Sequence, residues 1–236
     1  MPAAHDTGRR SGRENVANAD RDRTVVGMPS RTLVRGWFAV TAVVVLAALV
    51  IQIVAVARAE GRVANLLSYF TIDSNLLVLV TTATLTRGRA PSSTLFRVLW
   101  LDALAGIVVT GVVYQVALAG RYELHGLDLL ADFLLHRVSP VLCVLGWLIA
   151  GPRISNWRAA RWSIVFPLLW LAFTLARGAS GGGYPYPFID AGALGYVRVA
   201  LNCGFIAVFF VLLVVAIRFV DQRLRHAPGG TRSADR

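Results

Sequence analysis

The sequence predicts an all-α integral membrane bundle of six transmembrane helices with both termini on the cytoplasmic side. Three observations carry that expectation. Hydrophobic residues make up 56% of the 236-residue chain, and mean hydropathy is +0.60. Only 16% of residues are charged, where an ordinary soluble domain has about a quarter. The apolar residues fall in six long blocks, with Arg gathered in alternate gaps between them.

The elements follow in order. Residues 1–34 are polar and Arg-rich and read as a disordered cytoplasmic tail. A long apolar run without a cleavage site follows them, which argues against a signal peptide. The first block spans residues 37–57, the second 66–85, the third 98–118 and the fourth 127–150. The fifth, at 162–175, is the shortest, and the sixth spans 197–219. Most are near the roughly 20 residues that cross about 30 Å of hydrocarbon. In a bilayer such segments are helices, because each backbone group needs an internal partner. Gly120, Arg121, Glu123 and Gly126 separate the third block from the fourth. The domain is expected over 35–222, with a second disordered tail at 223–236. No internal repeat is evident.

Arg sets the orientation. Eighteen Arg lie before the first block, in the second-to-third and fourth-to-fifth gaps, and at the carboxy-terminal end from Arg218 onward. Four, namely Arg58, Arg62, Arg121 and Arg177, lie in the opposite gaps. The positive-inside rule then places both termini in the cytoplasm of a multi-pass cell-membrane protein.

With that orientation, polar residues from five helices converge in the outer half. The second helix opens with Ser68, Thr71, Asp73, Ser74 and Asn75. The fourth carries Asp128, Asp132, His136, Arg137 and Ser139, and the third ends with Tyr114 and Gln115. Thr174 and Arg177 close the fifth helix, while Arg198 and Asn202 open the sixth. The inner half is poorer, with Asp102 as its main buried charge. An ionisable group at bilayer depth costs on the order of 2.5–3.5 kcal/mol, so these groups must face one another or a cavity. A functional site and a polar network that merely ties helices together are the two readings.

Spacing sharpens the first reading. Asp128, Asp132 and His136 stand at i, i+4 and i+8 on one stripe. Asp132 is placed to accept from His136 and fix its tautomer, the orienting task of a triad carboxylate. Pro140 removes the backbone bond to the His136 carbonyl and predicts a kink there. Ser68, Thr71, Ser74 and Asn75 share a face, and Asp73 points elsewhere. A membrane Thr usually bonds back to its own helix, so spacing alone leaves the role of Thr71 open.

Three segments in order, YFTIDSNLL (69–77), LLHRVSPVL (134–142) and GGYPYPFID (182–190), resemble the androgen-induced and androgen-dependent TFPI-regulating membrane proteins. The bacterial six-helix relatives known as the Pr-six-Pr family look closer still. The resemblance covers about residues 35–222. It implies hydrolysis of fatty-acyl esters by a threonine nucleophile and a histidine, with Thr71 and His136 in the matching positions. Asp73 and Arg137 have no counterpart in that pattern.

The expected function is therefore an intramembrane lipid ester hydrolase. His136 acts as base on Thr71, Asp132 orients His136, and Asn75, Tyr114, Arg198 and Asn202 are the candidate substrate and oxyanion contacts. The YPYP segment behind Gly181–Gly183 is the candidate lid. The alternative is a non-enzymatic transporter, receptor or lipid-binding module using the same polar cluster.

Other classes are excluded by composition. All 24 basic residues are Arg, which suggests a high-GC bacterial coding bias and leaves no Lys for a Schiff base. Arg flanks apolar blocks and does not pattern as a nucleic-acid surface. Cys143 and Cys203 lie inside apolar blocks and read as inert thiols, with no metal spacing and no cofactor expected. Membrane lipid is the expected partner; the oligomeric state stays open.

Overall fold

The computed structural model of the chain describes residues 30–225, and those residues are helical almost throughout, with no strand among them. Helix α1 is Arg31–Arg58, followed by a 3₁₀ turn, Val63–Ser68, and α2, Phe70–Leu85. Helix α3 is Thr94–Leu118, α4 is Gly126–Ala150 and α5 is Trp157–Gly182. A 3₁₀ turn, Pro187–Ile189, and a single helical turn, Ala191–Leu194, lead into α6, Tyr196–Arg225. Three π-helical turns interrupt or end the long helices: Tyr114–Leu118 in α3, Leu134–Val138 in α4 and Gly178–Gly182 in α5.

Five of these helices, all except α2, are long and apolar enough to cross a membrane. Helix α2 has 16 residues. The shortest element is thus the second, and not the fifth as hydropathy suggested. Two local effects explain the difference. Asn156 caps α5 five residues earlier, with its side chain accepting from Ala159 N at 2.8 Å. In front of α2, Tyr69 is extended (φ −92°, ψ 120°), so the chain up to Ser68 forms a separate 3₁₀ turn. The predicted tails also shorten, because residues 31–34 and 223–225 are helical. Residues 1–29 and 226–236 of those tails lie outside the described ones.

Helix α3 is the centre of the bundle: 61% of its apolar span is buried, against 17% for α5 and for α6. Trp100, Leu101, Leu104 and Ile107 of α3 and Phe38 of α1 are the largest fully buried side chains. Small residues let neighbours approach α3. A Cβ on Gly106 would lie 3.3 Å from Ser74 Cβ of α2, and one on Gly111 would lie 3.3 Å from Pro140 Cγ of α4. The exterior is the reverse of a soluble protein's. Val197 and Phe205 of α6 are 78% and 75% exposed, and Leu168, Leu169 and Phe173 of α5 are also exposed. Such a surface is stable where lipid replaces water. The chain is a multi-pass membrane protein.

Hydrogen bonds define two ends of the bundle. At the Arg-rich end, Arg35 Nε donates to Thr86 O at 2.7 Å and Arg97 Nη1 to Ile154 O at 3.0 Å. At the other end, Arg177 Nη2 donates to Asn65 Oδ1 at 2.9 Å and Trp170 Nε1 to Ser68 O at 3.1 Å. The second end holds the polar convergence.

Candidate active site

Thr71 lies in the first turn of α2, and that position governs what its hydroxyl does. Thr41, Thr81, Thr82, Thr84 and Thr86, deeper in their helices or at a C-terminal cap, all bond back to a carbonyl three or four residues earlier. The chain four residues before Thr71 is not α-helical, so its hydroxyl turns sideways. Its Oγ1 lies 3.2 Å from His136 Nε2 and 3.3 Å from Tyr186 Oη. The Thr71 carbonyl is occupied separately, accepting from Asn75 Nδ2 at 2.8 Å and Ser74 Oγ at 3.1 Å. Ser74 Oγ in turn meets Thr110 Oγ1 of α3 at 2.8 Å. The nucleophile candidate therefore stands on a braced turn, within the positive end of the α2 dipole.

His136 reaches Thr71 from a distorted stretch of α4. Pro140 has no N–H to donate to the His136 carbonyl, and the chain widens into the π turn Leu134–Val138. The predicted kink is thus realised as a π turn. Gly111 of α3 accommodates it, because a Cβ there would sit 3.4 Å from His136 O. The other ring nitrogen, Nδ1, lies 3.1 Å from Asp132 Oδ1 and 3.0 Å from Asp132 O. Both are acceptors, so Nδ1 carries the proton and Nε2 presents its lone pair to Thr71. Tyr114 stacks on the imidazole, with centroids 4.0 Å apart and planes at 18°. Its hydroxyl donates to Asp132 Oδ2 at 2.6 Å, and Arg137 Nη1 lies 3.5 Å from the same oxygen. Asp132 is thus held on both oxygens.

Tyr186 is the residue that sequence reasoning missed. It belongs to the YPYP segment, assigned above only as a lid. Gly181 (φ +86°), in the last turn of α5, and Gly183 (φ +76°), just past it, turn the chain back through left-handed conformations that side chains disfavour. Arg177 Nη1 fixes the turn through Gly183 O at 2.7 Å, and Asn202 Nδ2 holds the far side through Phe188 O at 2.8 Å. The segment is thereby folded inward, leaving Tyr186 only 8% exposed between Tyr69, Trp170 and Phe188. Its oxygen accepts from Thr71 N at 3.3 Å, which leaves its own O–H free to donate. Burial pushes the phenol up to about 12, so it is protonated at neutral pH. The Tyr-Pro repeat and its glycines were the available signal. Nothing in one dimension said that the second Tyr would cross the bundle to Thr71.

The remaining candidates sort by position. Asn75 is fully buried one turn below Thr71, where it braces two carbonyls, Thr71 O and Leu135 O. Tyr114 lines the site, but its hydroxyl is committed to Asp132. Arg198 is exposed on α6, and Asn202 anchors the loop through Phe188, so neither is a wall residue of the cavities at Thr71. Both therefore stand apart from the contact set predicted for them. Asp73 faces a different cavity. Among the described residues no three His, Cys, Asp or Glu side chains converge to hold a metal ion.

Two cavities meet at Thr71. A narrow apolar slot of about 120 Å³ runs between α3, α5 and α6, with Val109, Val113, Leu171, Ile206 and Phe210 on its walls. A wider vestibule of about 390 Å³, more polar than the slot, carries Gln52, Asn65, Asp128, Asp132 and His136. Thr71, Tyr114, Leu118 and Tyr186 line both. The arrangement can hold a hydroxyl nucleophile, a base and a phenolic donor at a boundary between apolar and more polar space. No family model, curated protein or solved structure matches the chain.

Proposed function

We propose that the protein is an intramembrane lipid ester hydrolase of the cell membrane, acting on a fatty-acyl ester. The observation that carries this reading is the Thr71 Oγ1–His136 Nε2 approach of 3.2 Å at the junction of an apolar slot and a more polar vestibule. The resemblance of the segments at 69–77, 134–142 and 182–190 to the threonine-dependent membrane hydrolases points the same way.

The chemistry follows from the geometry. His136 Nε2 takes the Thr71 proton as Oγ1 attacks the ester carbonyl, and Asp132 stabilises the imidazolium that forms. The Tyr186 O–H, next to Oγ1, donates to the oxyanion of the tetrahedral intermediate. Imidazolium returns the proton to the leaving alcohol, giving an acyl ester on Thr71. Water from the vestibule then attacks that ester, with His136 again as base, releasing the acid and restoring the Thr71 hydroxyl. The slot takes the acyl chain, and the vestibule takes the alcohol and the water.

The topology proposed with this chemistry has six spans and cytoplasmic termini. Helix α2 is roughly 24 Å long at 1.5 Å per residue, and the preceding 3₁₀ turn extends it. Reporter fusions at Gly182 and at Arg236 test the topology: an outward-facing carboxy terminus would overturn it. For the activity, the test is hydrolysis of p-nitrophenyl octanoate by the purified protein in lipid nanodiscs. Wild type is compared with Thr71→Ala and His136→Ala at matched folded amounts. Turnover that survives both substitutions removes the hydrolase reading.

A further inference from the structure

A larger cavity, of about 650 Å³, lies between α2, α3 and α5, and neither Thr71 nor His136 lines it. Its α3 wall holds Asp102, which is 2% exposed. The Oδ1 atom of Asp102 is buried without a hydrogen-bond partner. A carboxylate oxygen in apolar surroundings is strongly destabilised unless a donor reaches it. Asp73 of α2 adds a second carboxylate to the same cavity. Along α5, Trp162, Phe166, Trp170 and Phe173 follow one another at i, i+4, i+8 and i+11, and all four line the groove. That stripe extends roughly 16 Å at 1.5 Å per residue.

The occupant follows from this chemistry. Two acids in an aromatic trough select a positive charge, since ring faces and carboxylates both attract cations. A bare metal ion is a poor match, because no three ligating side chains converge among the described residues. An anionic lipid fits less well. Arg158, exposed one turn before Trp162, would hold its headgroup, but the like charges of Asp102 and Asp73 would share the groove, and Asp102 Oδ1 would stay unsatisfied. An amine supplies what is lacking: N–H donors for Asp102, a charge for the rings, and an apolar body for Val98, Leu99, Val165 and Leu169.

We propose that this groove is a second ligand site, which binds a lipophilic ammonium ion with an N–H donated to the Asp102 carboxyl group and its apolar body along the aromatic face of α5. The site stands independently of the ester chemistry at Thr71.

The test uses the full chain in phosphatidylcholine nanodiscs at neutral pH, with radiolabelled dodecylamine as probe and dodecanol as the neutral control of equal length. Expected is saturable one-to-one binding of dodecylamine over partition into empty discs, with dodecanol at least tenfold weaker. Asp102→Asn, close to isosteric, should weaken amine binding at least tenfold. Trp162→Leu, at a position 58% exposed and so safe for folding, should weaken it several-fold. Should Asp102→Asn fail to fold, Asp73→Asn and Trp162→Leu carry the test together. Equal binding of dodecanol, partition without saturation, or full amine affinity in the folded variants would overturn the proposal. Full affinity would mean that water or its own proton satisfies Asp102.

Discussion

Asp132 and Asp221 are both buried carboxylates at the ends of helices, and their networks differ in kind. Asp221 of α6 is 1% exposed. Its Oδ1 accepts from Trp147 Nε1 at 2.8 Å, its Oδ2 from Ser155 N at 3.1 Å, and Arg153 Nη1 lies 3.7 Å away. Arg153 also donates to the Trp147 and Leu148 carbonyls, each at 2.6 Å, closing the end of α4. Indole, amide and guanidinium all keep their protons at ordinary pH, so none of the donors to Asp221 relays a proton. None of the three cavities described above includes Asp221. Asp132 instead passes its contact on, through His136 to Thr71, and that chain ends on an exchangeable hydroxyl between two cavities. A polar cluster is structural when every partner is terminal, and chemically capable when the last partner faces empty space.

Substitutions separate the two ends. The largest effect is expected at Thr71→Ala, which should lower ester turnover on the order of 10⁶-fold, as loss of a nucleophile does elsewhere, while the melting temperature holds. Activity within tenfold of wild type would place Thr71 with the structural threonines. Next, Asp132→Asn should lower turnover by up to about 10⁴-fold by releasing the His136 tautomer, with a small change in melting temperature. If turnover per folded molecule is unchanged, Asp132 works as Asp221 does and ties helices together.

Asp221→Ala should show the mirror image. Stranding the Arg153 charge and the Trp147 and Ser155 donors should cost about 3 kcal/mol of stability, read as a lower melting temperature with specific activity intact. A selective loss of activity would erase the distinction drawn here. A smaller effect is expected at Tyr186→Phe, about 10²–10³ in turnover, because the ring keeps its packing while the oxyanion loses one donor. The contrast to measure is kcat, which should fall, against KM, which should hold.

The smallest effect concerns pH. Tyr186 is an acid whose value is pushed by burial to about 12, so it keeps its proton to higher pH than a free phenol does. Turnover should therefore show no loss from phenol ionisation between pH 8 and about 10. A decline centred near 10 that disappears in Tyr186→Phe would mean that the phenol is solvated and the segment open.

Much of this was legible in one dimension. The apolar blocks determined helices, because a bilayer leaves the backbone no other partner. The i, i+4 step from Asp132 to His136 determined that pair, because helical geometry places those side chains together whatever surrounds them. Pro140 determined a distortion, since a missing N–H is a local fact, although it did not determine that the distortion would be a π turn.

The tertiary structure decided the rest. That Thr71 meets His136, 65 residues away in sequence, depends on how closely α2 and α4 pack against Gly106 and Gly111 of α3. Tyr186 enters the site because two left-handed glycines and the Arg177 and Asn202 contacts fold a loop inward, whereas Arg198 points out to the surface. Asp221 finds its partners outside its own stretch of sequence: Trp147 and Ser155, more than 60 residues away, close over it. Local periodicity specifies which side of a helix is polar. Which polar sides find one another is a property of long-range packing, and no window of sequence contains it.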